Sequence, residues 1–162
     1  MEIDAYISLG SNIGDRELNL LRAVAEIGKL PESRVTALSS FYETSPVGNV
    51  EQDSFYNAVI RLTTRLEPRK LLMSLLTIES DTFKRTRTIH QGPRRMDLDI
   101  LIYGNFKINE DDLIVPHPRL SERRFALQPL CEIAGDVVHP LIGKSMSELL
   151  ANLKSDETVV KL

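Results

Sequence analysis

Residues 55–80 read FYNAVIRLTTRLEPRKLLMSLLTIES, and this stretch decides the fold. From Phe55 to about Leu66, apolar and polar side chains alternate, which is typical of a strand with one wet face. Pro68 then suits the first turn of a helix, and leucines recur behind it at spacings of three and four. The stretch therefore predicts one strand followed directly by one helix.

Patterns on both sides of this unit predict three more strands and another helix. Residues 5–9, 35–42 and 96–103 are rich in alternating, β-branched or aromatic side chains and predict strands. Between the first two of them, Asp15 is placed to cap a helix that ends at Gly28. Its predicted buried stripe consists of Leu18, Leu21, Val24, Ala25 and Ile27.

The resulting order is strand–helix–strand–strand–helix–strand, which predicts an α+β fold with a ferredoxin-like βαββαβ core. We expect an antiparallel sheet with its helices on one face and the other face available to a ligand. The remaining residues predict a C-terminal extension with a short hairpin, a helix over 125–134 and a helix over 146–153 that Ser145 caps.

The composition excludes several classes of protein. The chain has 162 residues with 20 basic and 23 acidic side chains, a net charge of −3, which argues against a coat on duplex nucleic acid. No apolar run approaches the ~20 residues of a membrane span, and one cysteine, Cys131, excludes an internal disulfide framework. We expect a cytoplasmic monomer with one domain over residues 1–162, which acts on small molecules and binds neither nucleic acid nor membrane.

The segment most informative about chemistry is GPRRMDLDIL at residues 92–101. Successive side chains of a strand alternate faces, so Asp97 and Asp99 point one way while Leu98 and Ile100 point into the core. Two neighbouring carboxylates repel unless a cation lies between them, and Mg²⁺ commonly uses one or two carboxylates plus substrate phosphates. The alternative is an exposed strand face with two solvated acids, although Asp is disfavoured in strands.

Two basic clusters accompany this pair. The first lies just upstream and comprises Lys84, Arg85, Arg87, His90, Arg94 and Arg95. Guanidinium groups beside metal-binding carboxylates suit the transfer of a phosphorylated group, whereas such a run by itself is usually a solvated loop. The second cluster comprises His117, Arg119, Arg123 and Arg124. Either a bound phosphate or a nearby acid such as Glu122 can balance the charge of this second cluster.

A third cluster is neutral. The sequence predicts a constrained turn over residues 44–48, and Phe55, Tyr56 and Asn57 open the predicted strand that follows it. Aromatic rings can stack on a flat heteroaromatic ligand, and an asparagine amide offers both a donor and an acceptor. Packing in the core is the commoner role of such aromatic residues.

With these residues in place, the chain resembles the 6-hydroxymethyl-7,8-dihydropterin pyrophosphokinases of folate biosynthesis. The resemblance rests on YISLGSN at 6–12, SFYET at 40–44, YNA at 56–58, HQGPRRMDLDIL at 90–101 and VPHP at 115–118. It implies a ferredoxin-like fold and the transfer of the β,γ-diphosphate of ATP to the hydroxymethyl oxygen of the pterin, with release of AMP.

The resemblance also implies roles for individual residues. Asp97 and Asp99 would bind two Mg²⁺ ions, and Asp97 would help the hydroxyl group to lose its proton. The pterin-binding positions are Thr44, Val47, Phe55, Asn57 and Phe125. The ATP-binding positions are Glu79, Arg94, Ile100, His117 and Arg123. Beside Asp97, the catalytic positions are Lys84, Arg85, Arg87 and Arg94.

The chain departs from the family pattern after Glu79, where Glu-x-x-x-Gly-Arg-x-Arg is usual. Either Lys84 replaces one arginine and the other is lost, or the loop is displaced by one residue and Arg85 and Arg87 serve. Lysine and arginine are not equivalent at a bidentate phosphate contact.

Two other functions fit the same residues. One is a nucleic-acid or metabolite-binding module without turnover, and the other is a different Mg²⁺-dependent nucleotidyl or phosphoryl transferase.

Overall fold

A computed structural model of the chain describes residues 1–45, 53–84 and 95–162. The strands are β1 (Ile3–Ser11), β2 (Ser33–Leu38), β3 (Tyr42–Thr44), β4 (Phe55–Thr64), β5 (Asp97–Tyr103), β6 (Ile108–Glu110), β7 (Leu113–Val115) and β8 (Val159–Lys161). The helices are α1 (Arg16–Gly28), α2 (Pro68–Thr77), α3 (Arg124–Ala134) and α4 (Met146–Asn152). A π-helical turn, Ile78–Thr82, continues α2, and a 3₁₀ turn, Leu120–Glu122, precedes α3. In these described ranges, each helix is too short or too polar to cross a membrane.

The main sheet is antiparallel, with strand order β5–β1–β4–β3–β8. β2 pairs with the second half of β4, beside β3. Gly10 of β1 lies opposite Asn57 of β4 on one side and opposite Asp97 of β5 on the other. The register therefore brings the predicted metal-binding strand and the predicted ring-binding strand to the two sides of one glycine.

The prediction of a chain of mixed helix and strand with an antiparallel sheet is confirmed. The single strand predicted over residues 35–42 is two strands, because the regular pairing is interrupted at residues 39–41. The Ser39 backbone N–H still donates to the Val59 carbonyl oxygen at 2.9 Å. There the Ser39 hydroxyl accepts from the backbone N–H of Val59 at 2.9 Å, and the carboxylate of Glu132 on α3 accepts from the backbone N–H of Ser40 at 3.0 Å. Side chains thus supply hydrogen bonds that a continuous strand would make with its neighbour.

The predicted cap of α1 is confirmed, since Asp15 accepts from the backbone N–H of Leu18 at 3.1 Å. The predicted buried stripe of α1 is wrong at three positions: Leu18 and Leu21 are about half exposed, at 50% and 49%, and Ala25 is exposed as well. The buried residues of the helix are Asn19, Leu20, Ala23 and Ile27. The Asn19 amide donates to the Ser11 hydroxyl and to the Ile13 carbonyl oxygen, at 3.1 and 2.9 Å, and these bonds set the rotation of the helix.

Helices lie on both faces of the sheet, because α3 and α4 cover part of the face opposite α1 and α2, which corrects the prediction that this face is free for a ligand. α1 and α2 pack on the predicted face, against Leu9, Ile60 and Leu62 among others. α3 and α4 pack on part of the opposite face, where Tyr6, Val59 and Leu101 give them an apolar surface. The other end of that face carries Ser8, Gly10, Asn57, Asp97 and Asp99, and it is this polar end that remains open.

Candidate active site

A pocket occupies the open end of the sheet, beneath the start of α3. It brings together most of the side chains that were predicted to bind substrate or metal: Thr44, Phe55, Asn57, Asp97, Asp99, Arg123 and Phe125. It also contains residues that sequence reasoning did not place there, among them Ser8, Gly10 and Glu157. A glycine inside a strand often marks a close approach of another group, so Gly10 carried a usable signal.

The two aspartates lie as predicted, half-buried on the pocket side of β5, with Leu98 and Ile100 buried on the other side. Opposite them in β1 are Gly10 and Ser8. Because both of these residues are small, the carboxylates remain accessible from the pocket.

Glu79 lies behind the aspartates rather than in the pocket. It is buried in the π-helical turn after α2, and its carboxylate accepts from the backbone N–H of Leu98 at 2.7 Å. Leu98 is the residue between the two aspartates, so this bond fixes the backbone that carries them. The Ile100 side chain also lies in the core on that face, so only the backbone of Ile100 is available to a nucleotide.

Among the described residues, Arg123 is one of two cations that line the pocket, together with Arg119, and it faces the aspartates. Burial lowers the pKa of its guanidinium and the charge of Arg119 lowers it further, whereas Asp99, Asp97 and Glu157 act in the opposite direction. The guanidinium also lies 5.5 Å from the ring centroid of Phe125. The pocket thus holds the Asp97 and Asp99 carboxylates on one wall and a partly desolvated guanidinium on the other, an arrangement that suits a phosphate bound through a metal ion.

His117 differs from the expectation of a basic cluster. Burial lowers the pKa of its imidazole to about 4, and the charge of Arg123 contributes, although Asp97 opposes both. Its Nδ1 accepts from the backbone N–H of Arg119 at 3.1 Å, so the neutral ring carries its proton on Nε2. At neutral pH His117 is therefore a hydrogen-bond donor and not a cation.

The neutral end of the pocket is built around Asn57. Its Nδ2 donates to the Thr44 hydroxyl at 2.7 Å, and both residues are buried. Its Oδ1 lies over Gly10, where an added Cβ would be 2.7 Å away. Phe55 from the sheet and Phe125 from the first turn of α3 complete this end. An oriented amide with two nearby rings suits a flat, hydrogen-bonding ligand.

Most of the basic loop, residues 84–95, lies outside the described residues. Lys84 is exposed and has a left-handed backbone conformation, with φ of 49°. Arg85, Arg87 and Arg94 lie outside the described residues, as does Val47. Their predicted roles stay predictions.

The donor set of the pocket fits Mg²⁺. Asp97 and Asp99 offer hard carboxylate oxygens on one strand face, and Mg²⁺ is usually held by one or two carboxylates plus phosphates and water. Among residues 1–45, 53–84 and 95–162, there is no group of three or more His, Cys, Asp or Glu side chains that could form an all-protein metal cage. Phosphate oxygens of a substrate would therefore complete the coordination of any Mg²⁺ bound here.

Comparison with known proteins identifies the family. The family model for 7,8-dihydro-6-hydroxymethylpterin-pyrophosphokinase (HPPK) matches residues 6–135. The chain belongs to this family. It is 48% identical over 133 residues to the 2-amino-4-hydroxy-6-hydroxymethyldihydropteridine pyrophosphokinase of Bacillus subtilis, across 82% of this chain and 79% of that protein. HPPK proteins are enzymes that transfer a diphosphate group, which confirms that the chain is a member of an enzyme family.

Other relatives carry the HPPK sequence within longer chains. The chain is 46% identical to the bifunctional protein FolKE of Lactococcus lactis subsp. cremoris, across 79% of this chain but only 36% of that protein. A solved structure of a Plasmodium falciparum HPPK-DHPS triple mutant matches 93% of this chain and 44% of that chain with a TM-score of 0.74 and 15% identity. The chain thus spans less than half of both, and the structural match supports the fold alone.

Proposed function

We propose that the chain transfers the β,γ-diphosphate of ATP to the hydroxymethyl oxygen of 6-hydroxymethyl-7,8-dihydropterin, with Mg²⁺, and releases AMP. The observation that supports this most strongly is the presence of two different ends in one pocket. The Asn57 end suits a flat heteroaromatic ring, and the Asp97 and Asp99 end suits phosphates bound through metal ions. Membership of the HPPK family supports the same substrates.

At the ring end, Asn57 and Thr44 would bind the edge of the pterin, and Phe55 and Phe125 would contact its faces. The hydrogen bond from Asn57 to Thr44 fixes the orientation of the amide before a ligand arrives. Since the amide is oriented in advance, less conformational entropy is lost when the pterin binds.

At the phosphate end, the hydroxymethyl oxygen would attack the β-phosphorus while the bond from that phosphorus to the α–β bridging oxygen breaks. AMP leaves with the bridging oxygen, and Asp97 accepts the hydroxyl proton. Two Mg²⁺ ions held by Asp97 and Asp99 would neutralise the phosphate charge during the transfer. Arg123 and the neutral donor His117 would bind phosphate oxygens that face the other wall.

Phosphorus NMR tests the reaction directly. Incubated with ATP, Mg²⁺ and 6-hydroxymethyl-7,8-dihydropterin, the protein should produce AMP together with a new pair of coupled diphosphate signals. ADP with a monophosphorylated pterin would indicate an ordinary kinase, and loss of ATP without pterin would indicate a hydrolase. Either result would overturn the proposed reaction.

The basic loop would contact the triphosphate through Arg94 and through either Lys84 or the pair Arg85 and Arg87. Separate alanine variants of Lys84, Arg85 and Arg87 decide between these alignments. If Lys84→Ala lowers the rate more than the two arginine variants together, Lys84 occupies the position of an arginine of the family.

We further propose that β1, α1, β2 with β3, β4, α2 and β5 form a ferredoxin-like core. This proposal is supported by the central order β5–β1–β4 with α1 and α2 on one face. Residues 1–162 would form one domain that acts as a cytoplasmic monomer, with residues after β5 as an extension. Sedimentation of the purified chain tests the oligomeric state.

A further inference from the structure

The C-terminal strand β8 extends the sheet beside the pocket. It pairs with β3, placing Val159 opposite Thr44. Next to this pair, the backbone N–H of Ser45 donates to the Thr158 carbonyl oxygen at 3.1 Å, and the backbone N–H of Thr158 donates to the Ser45 hydroxyl at 3.3 Å. The family model ends at residue 135, so this strand lies beyond the matched region. The C-terminal tail, residues 153–161, is nevertheless attached through β3 to the pocket wall that carries Thr44.

The same tail is attached to the opposite wall through Glu157. This half-buried side chain lines the pocket, and its Oε2 accepts from the backbone N–H of Phe125 at 3.2 Å. Four residues earlier in the tail, the Leu153 carbonyl oxygen accepts from the guanidinium of Arg124 at 3.2 Å. Residues 153–161 therefore connect β3 to the first turn of α3.

The first turn of α3 needs this external partner. Its N-cap residue is Arg123, whose side chain makes no capping hydrogen bond, and the first helical residue is Arg124. Cations at a helix N-terminus are unfavourable, and the first backbone N–H groups have no partner within the helix. The Glu157 carboxylate supplies both the missing acceptor and a negative charge at this end.

We propose that Glu157 is a positioning residue, whose carboxylate holds the first turn of α3 so that the Phe125 ring faces the pterin end of the pocket. The identity of the ligand rests on the proposed function, whereas the contact between Glu157 and Phe125 does not. Glu157 acts on the ring-binding wall and does not touch the reacting phosphates, so its loss weakens pterin binding more than turnover.

Three variants of Glu157 and one control separate the contribution of the acceptor oxygen from those of the charge and the side-chain length. Glu157→Ala removes both acceptor and charge, Glu157→Gln keeps an acceptor oxygen without the charge, and Glu157→Asp keeps the charge on a side chain one methylene shorter. Asp156→Ala removes one negative charge from the exposed neighbouring residue and is the matched control. If Glu157→Ala does not fold, Glu157→Asp tests the same contact with a smaller change.

Steady-state kinetics give the first measurement. We expect Glu157→Ala to raise the KM for the pterin roughly tenfold with kcat within about twofold of wild type, as for loss of one charge-assisted hydrogen bond. Glu157→Gln, which loses the charge, and Glu157→Asp, which loses a methylene, should each raise the KM less than Glu157→Ala, and Asp156→Ala should leave the KM unchanged. An unchanged KM in Glu157→Ala, a fall in kcat alone, or equal effects of Gln and Ala would each overturn the proposal.

Hydrogen exchange at the Phe125 amide gives a second measurement that requires no activity. Exchange in the ligand-free protein should be faster in Glu157→Ala than in wild type and unchanged in Asp156→Ala. Equal rates in all three proteins would overturn the positioning role. If wild type bound no pterin, the proposed function would fail, and the exchange rates would still decide whether Glu157 holds Phe125.

Discussion

Replacement of Gly10 by alanine tests how closely the pocket is packed around Asn57. The added Cβ would lie 2.7 Å from the Asn57 Oδ1, whereas ordinary contact begins at 3.4 Å, so the amide must move by about 0.7 Å. Asn57 is buried and its side chain is short, so this movement lengthens the 2.7 Å hydrogen bond to Thr44 beyond the usual range. Loss of a buried hydrogen bond costs roughly 1–3 kcal/mol.

We therefore expect Gly10→Ala to lower the free energy of unfolding by about 1–3 kcal/mol. The same change should weaken pterin binding roughly 5- to 150-fold. ATP affinity should change less than about threefold, because the atoms nearest the added Cβ belong to Asn57 and Phe55 at the ring end and not to Asp97. Isothermal titration with each ligand and urea denaturation measure these quantities. Gly28→Ala is the matched control, since its Cβ would meet Val35 at an ordinary 3.9 Å.

A double-mutant cycle decides whether the effect passes through Asn57. If it does, Gly10→Ala combined with Asn57→Ala should bind pterin no more weakly than Asn57→Ala alone. Additive losses of pterin affinity, or a Gly10→Ala variant with wild-type affinity, would refute the reasoning.

Three further changes have defined outcomes. Asp97→Asn should reduce turnover about 100-fold or more with an unchanged circular dichroism spectrum, because an amide is a poor metal ligand and a poor proton acceptor; turnover near wild type would contradict this. The Nδ1 of His139 accepts from the backbone N–H of Leu141 and Ile142, both at 3.1 Å, and burial lowers the pKa of the ring below its ordinary 6.5. The stability that the neutral ring contributes is therefore complete above pH 6.5 and decreases as the pH falls toward the folded-state pKa. The melting temperature should fall more between pH 7 and 5 in wild type than in His139→Asn. Parallel curves of melting temperature against pH would exclude this role. Ser145→Ala removes the hydroxyl of a capping box at α4 and should lower the free energy of unfolding in urea by about 0.5–2 kcal/mol. An unchanged midpoint of denaturation would mean that the cap does not contribute to global stability.

Local patterns in the sequence were sufficient for the features that depend on near neighbours. The shared face of Asp97 and Asp99 follows from the two-residue period of a strand and needs no knowledge of the remaining fold. The same holds for the Asp15 cap and for Pro68 at the start of α2, since each acts within one helical turn. The motif at residues 90–101, together with the shorter matching stretches along the chain, likewise indicates the family without knowledge of the fold.

Only the tertiary structure decided the features that depend on contacts between distant segments. Two sets of residues in α1 satisfy helical spacing, and the bonds of Asn19 to Ser11 and Ile13 select the buried one. Glu157 belongs to a short tail without a strong strand pattern, and its place in the pocket results from pairing with β3, more than a hundred residues earlier in the chain. Strand pairing and helix rotation are determined by the surface that each segment meets, so residue periodicity along the chain does not specify them.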